Sequence, residues 1–167
     1  ETAESLGFMS RQDYLDWIAR LEKLPNYIQQ HIALAKLGIE RKVTAPKILM
    51  ERVARQIELQ LVDDPSDSPF FNVFETIPAN IEDRSEIREK AIQVISEDVI
   101  PAYYEFRDFF VDEYLPASRN SIGVSDLPDG KAWYENLARY HTSTELMPEE
   151  IHQIGLSEVK RIRTEMN

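Results

Sequence analysis

The chain has 167 residues, 43% of them hydrophobic, enough for one domain to bury a core, and no run approaches the roughly 20 apolar residues that cross a bilayer. Its net charge of −11 is uneven, with 9 basic and 8 acidic groups in residues 1–62 against 10 and 22 in residues 63–167, and such a surface repels phosphate backbones and excludes nucleic acid as a partner. Without cysteine there are no disulfides and no thiolate metal sites, and the compartment stays open.

Apolar residues recur at helical spacing along most of the chain. Tyr14, Trp17, Ile18, Leu21 and Leu24 form a first stripe, which ends at Pro25. Pro25, Pro46 and Pro148 each stand just before an amphipathic run, where the missing N–H costs nothing and the fixed φ suits the first helical turn. Leu49, Val53, Ile57 and Leu61 form a second stripe. Residues 63–83 (DDPSDSPFFNVFETIPANIED) hold three prolines and clustered Ser and Asp, which oppose a helix. This long irregular connection joins an N-terminal helical layer, residues 1–62, to a C-terminal one, residues 84–167.

Ile87, Ala91, Val94 and Ile95 open the third stripe. Pro101 then divides two helical patterns, 85–99 and 102–114, and without turn residues beside it the expectation is one kinked helix. A further helix over 129–140 is carried by Trp133, Leu137 and Tyr140, and the last starts at Pro148. No internal repeat or low-complexity tract stands out. Period-2 alternation is nearly absent, so the pattern predicts an all-α fold, a multi-helical domain or array of amphipathic helices within a single region.

Glu149 and His152 make an E-x-x-H pair on one helical face, the half-motif of carboxylate-bridged di-iron bundles. Such bundles need a second pair, and neither His31 nor His141 has Glu three residues earlier. The plainer role for Glu149 and Glu150 is to favour the positive end of a helix dipole. No metal ligand set is therefore predicted within the chain. The neighbours Glu97–Asp98, Asp112–Glu113 and Glu149–Glu150 point in different directions on a helix and cannot share a proton as a dyad. There is no G-x-S-x-G elbow and no phosphate-binding glycine loop, so no catalytic residue is assigned.

The candidate substrate-binding residues are Tyr140, His141, Thr142, Ser143 and Thr144, read as a polar loop between two helices that could line a groove. Their structural alternative is that His141 ends one helix while the hydroxyls satisfy free backbone groups. Tyr103, Tyr104, Phe106, Phe109, Phe110 and Tyr114 crowd one helix, as a core or as a peptide-binding wall.

Residues 112–166 (DEYLPASRNSIGVSDLPDGKAWYENLARYHTSTELMPEEIHQIGLSEVKRIRTEM) resemble a segment of the bacterial family called domain of unknown function 885. The resemblance continues, in the family's order, through GIERKVTAPKILMERVARQIE (38–58), SPFFNVF (68–74) and VIPAYYEFRDFF (99–110). Members look like helical zinc peptidases, with metal ligands and general base on an H-E-x-x-H helix. Here none of His31, His141 and His152 is followed by Glu. The resemblance thus implies a parent enzyme whose zinc is held elsewhere, with this chain, not itself catalytic, as part of the substrate cleft wall and a brace for the metal-binding helices. It implies as partners the remainder of the parent chain and a peptide substrate, and a cell-envelope location, in some members as lipoproteins. The opening Glu-Thr-Ala-Glu and the charged ending KRIRTEMN fit the expectation of a piece cut from a longer protein. The rival reading is a helical interaction or scaffold protein without catalysis. Where relatives place Thr before the last helix this chain has Met147, which predicts a weaker helix start unless Ser143 or Thr144 substitutes.

Overall fold

In a computed structural model that describes residues 6–166, the chain is all-α, 71% helical, with no strand among the described residues. It divides into two compact units, one ending at Asn120 and the other beginning at Ser121. That boundary falls inside the stretch 84–167, which the sequence pattern presents as one layer.

The first unit begins with α1 (Arg11–Leu21). Ser10 and Asp13 close a capping box at its start, and Tyr14, Trp17, Ile18 and Leu21 of the predicted stripe are all buried, whereas Leu24, its fifth member, lies beyond the end of α1 and opens the next helix. Then come α2 (Leu24–Glu40), which has Pro25 in its first turn, and α3 (Lys47–Glu58), capped by Pro46. In the second stripe only Ile57 is buried, and Leu49 lies exposed.

The irregular stretch 63–83 contains a 3-10 turn (Pro65–Asp67) and the single helical turn α4 (Asn72–Glu75). It is more than a connector. Phe71, Phe74, Ile77 and Ile81 are buried in the same cluster as the α1 stripe, with Tyr14 and Phe74 ring centroids 5.8 Å apart. The Trp17 indole N–H donates to the Phe70 carbonyl at 3.4 Å, and the Arg88 guanidinium donates to the Phe74 and Glu75 carbonyls. Those bonds satisfy backbone groups that an irregular segment leaves without a ladder.

Helical backbone then runs without a break from 84 to 117, as α5 (Arg84–Val94), α6 (Ile100–Phe109) and α7 (Leu115–Ala117) joined by two π-turns, Ile95–Val99 and Phe110–Tyr114. The two prolines explain the π-turns. In an α-helix the Pro101 ring would meet the Glu97 carbonyl and the Pro116 ring that of Asp112. Widening each preceding turn, so that Ile100 N–H reaches back to Ile95 and Leu115 N–H to Phe110, relieves both clashes. The two turns end alike, ISEDVIPA at 95–102 and FVDEYLPA at 110–117 sharing two acidic residues followed by two apolar ones and then Pro-Ala.

α1 packs on α5, α2 on α6, and α3 on α6 and α7. A second cluster, Ile28, Ile32, Ala102 and Phe109, seals the α2–α6 contact. The α2–α3 loop is pinned to the end of α7: Lys47 N–H donates to the Arg119 carbonyl at 2.7 Å, Arg119 Nε to the Thr44 carbonyl at 2.9 Å, and Thr44 Oγ1 to the Ala117 carbonyl at 3.2 Å.

The second unit holds a 3-10 turn (Val124–Asp126), α8 (Gly130–Thr142) and α9 (Pro148–Glu165), with α8 packed on the turn and touching α9. It is nearly coreless. Of these two helices' residues only Gly130 is buried. On α9, Arg161 is paired with Glu158 at 2.8 Å and Glu165 at 2.7 Å, and those carboxylates raise its pKa above the ordinary value. At the N-terminus of α9 the Glu150 carboxylate accepts the Met147 backbone N–H at 2.8 Å, the reverse half of a capping box, while the Met147 side chain makes no capping bond to the first-turn N–H groups.

Candidate functional site

Residues 140–144 do not form a loop of their own. Tyr140, His141 and Thr142 complete the last turn of α8, and Ser143 caps it in the left-handed region at φ 54°, its N–H donating to the Arg139 carbonyl at 2.9 Å. Thr142 Oγ1 donates to the Ala138 carbonyl at 2.8 Å and lies 2.9 Å from Thr144 Oγ1. One hydroxyl thus bonds back to a carbonyl within the helix, and a second bonds to the first. All five residues are exposed, Tyr140 by 78%, and the Tyr140 ring stands edge-on to His141 at 5.1 Å.

Helix geometry places His141 on the α8 face that also carries Tyr134 and Leu137, seven and four residues earlier. With Trp133 and Tyr140 beside them, they make an exposed, mostly aromatic face. α9 presents a comparable stripe of Ile154, Val159 and Ile162, also exposed. Within the second unit nothing covers either face. A 47-residue unit that buries so little has no core with which to hold itself together.

The first unit offers a different kind of feature. Between α2 and α6 lies a hollow of about 300 Å³ lined by Leu24, Tyr27, Ile28, His31, Tyr103 and Phe106. Tyr27 and His31 are one helical turn apart, with ring centroids 4.3 Å apart and edge-on. Opposite them, Tyr103 is braced by Phe70 at 5.9 Å, and burial pushes its phenol pKa up, so the ring remains neutral. Ile28 belongs to the buried cluster beneath. Within the crowded aromatic helix, Phe109 and Phe110 are core while Tyr103 and Phe106 are shared between core and hollow. The sequence alone does not reveal the hollow, because Tyr27 and Tyr103 are far apart in the chain. The signals it does carry are the i, i+4 ring pair on α2 and the i, i+3 pair on α6.

A larger depression of about 590 Å³ runs along residues 79–85 and Arg88, polar and open, at the start of α5. Among the described residues no three of His, Cys, Asp and Glu converge as a metal site would require, and Glu149 with His152 remains a lone pair on α9. No helix of the described residues is long and apolar enough to cross a membrane.

Three comparisons bear on identity. The model of the family described as "Bacterial protein of unknown function (DUF885)" matches residues 2–167. A solved structure, "The crystal structure of the putative lipoprotein from Colwellia psychrerythraea", superposes with a TM-score of 0.79 at 24% identity, and the match covers 96% of this chain. The chain spans 28% of the length of that protein. At that identity the likeness shows a shared fold. No curated protein matches the chain.

Proposed function

The chain belongs to the DUF885 family of bacterial proteins of unknown function, and from that membership we propose that it is the non-catalytic helical part of a zinc-dependent peptidase, a wall of the substrate cleft and a brace for metal-binding helices elsewhere in a longer protein. The observation that carries this reading is the second unit. α8 and α9 expose apolar faces that their own unit does not cover, and the similar region of the Colwellia protein is accompanied there by more than twice its own length of polypeptide. Helices of that kind are stabilised by packing against a further layer more than by their own propensity.

Zinc needs at least three protein ligands, and the described residues do not bring three together. The proposed metal therefore needs ligands from outside this region. An envelope location accompanies the proposal, because the Colwellia protein is described as a "putative lipoprotein".

The test is made on the full product of the encoding gene. The reading expects an H-E-x-x-H helix after residue 167 and chelator-sensitive cleavage of peptides that zinc restores. A full-length product with neither the motif nor any peptide cleavage would leave a helical interaction protein instead.

A further inference from the structure

We propose that the hollow between α2 and α6 is a binding site for a small, neutral aromatic group. It does not depend on the peptidase reading, since it lies wholly within the first unit. Its volume of about 300 Å³ is at the lower end of the range for small-molecule sites, room for one or two fused rings. Three aromatic rings and an imidazole form its walls, and Leu24 and Ile28 supply aliphatic surface beneath.

The choice of ligand follows from charge. In a chain with 49 Asp, Glu, Lys and Arg side chains, none lines this hollow. An ion entering it would lose water and gain no opposite charge, a cost that a neutral ring does not meet. The walls also favour flat ligands over round ones of equal size, because rings gain from offset or edge-on contact beyond the area they bury. The polar atoms available, the phenols of Tyr27 and Tyr103 and the imidazole of His31, suit a ligand bearing a single N–H or O–H, as in an indole or a phenol.

The wall is also prepared in advance. Tyr103 is held by Phe70, so little entropy of that side chain is lost on binding.

Indole is the probe, titrated into the protein while the ring protons of the three histidines are followed by NMR. The expected result is a saturable shift of His31 alone, with His141 and His152 unmoved. Tyr27 is half exposed and outside the buried clusters, so Tyr27→Ala spares the core, and it should weaken indole by about three- to tenfold with thermal unfolding unchanged. Cyclohexanol and tetramethylammonium serve as competitors. If cyclohexanol binds as well as indole, the aromatic preference is overturned, and if tetramethylammonium binds better, the hollow is a cation cage. A His31 signal that never saturates, or that moves together with His141 and His152, removes the site.

Discussion

Gly130 lies against the backbone of Val124 so closely that a Cβ at Gly130 would overlap the Val124 carbonyl oxygen and stand 3.0 Å from the Ser125 carbonyl carbon. α8 can therefore approach the preceding 3-10 turn only with glycine at its first position. Gly155, in the middle of α9, has nothing within 4 Å of where its Cβ would be. Replacing glycine with alanine in a helix gains about 1 kcal/mol from propensity alone. Gly155→Ala should show that gain. Gly130→Ala should reverse it, losing about 1–3 kcal/mol because backbone must shift to make room. Hydrogen exchange along α8 and α9 reads both effects, and equal signs would contradict the packing described.

Phe74 is fully buried between Tyr14 and Phe71, although it comes from the stretch richest in helix breakers. If that stretch is core, Phe74→Ala should cost about 3–5 kcal/mol in denaturant unfolding, comparable to losing a residue of a regular helix. A cost below about 1 kcal/mol would mean that the stretch only tethers two layers.

How far the fold can be read from the sequence follows from where each signal resides. The α1 stripe is legible because its period is local, although Pro25 marks the start of α2 and not the end of α1. Phe71, Phe74, Ile77 and Ile81 are not, because an irregular segment has no period to betray which residues face inward. Leu49 shows the converse: a clean helical stripe leaves open how much of it a neighbour will cover. The π-turns before Pro101 and Pro116 are not legible, because a proline within a helical pattern suggests only a kink. Of the candidate residues 140–144, the sequence pattern ends the helix at Tyr140, whereas α8 continues through His141 and Thr142. The hollow is beyond its reach, since only tertiary packing brings α2 to α6.

The Asp13 carboxylate accepts backbone N–H bonds from Met9 at 2.9 Å and Ser10 at 2.7 Å, and these bonds hold its pKa below the ordinary aspartate value of 3.8. A carboxyl whose folded-state pKa is depressed adds stability that is complete above the unfolded value and disappears as pH falls through the folded one. The stability of the protein should therefore fall below about pH 4 in part through Asp13. Asp13→Asn should be less stable than the parent at neutral pH and converge on it in acid. A difference that stays constant from neutral pH into strong acid would show that the capping charge is irrelevant.

His141 is exposed at the end of α8, so its removal has little packing to destroy. His141→Ala should change stability by no more than about 0.5 kcal/mol, the usual range for a surface substitution. That makes activity the informative measurement. If the aromatic face of α8 lines a substrate cleft in the full-length protein, the same variant should lower kcat/KM for peptide cleavage, because the lost contact is to substrate or transition state and not to the fold. Tyr140→Ala, removing the more exposed ring beside it, should act in the same direction. Unchanged kcat/KM in both variants would take residues 140–144 out of the cleft and leave them as the end of a helix whose apolar face serves only for packing.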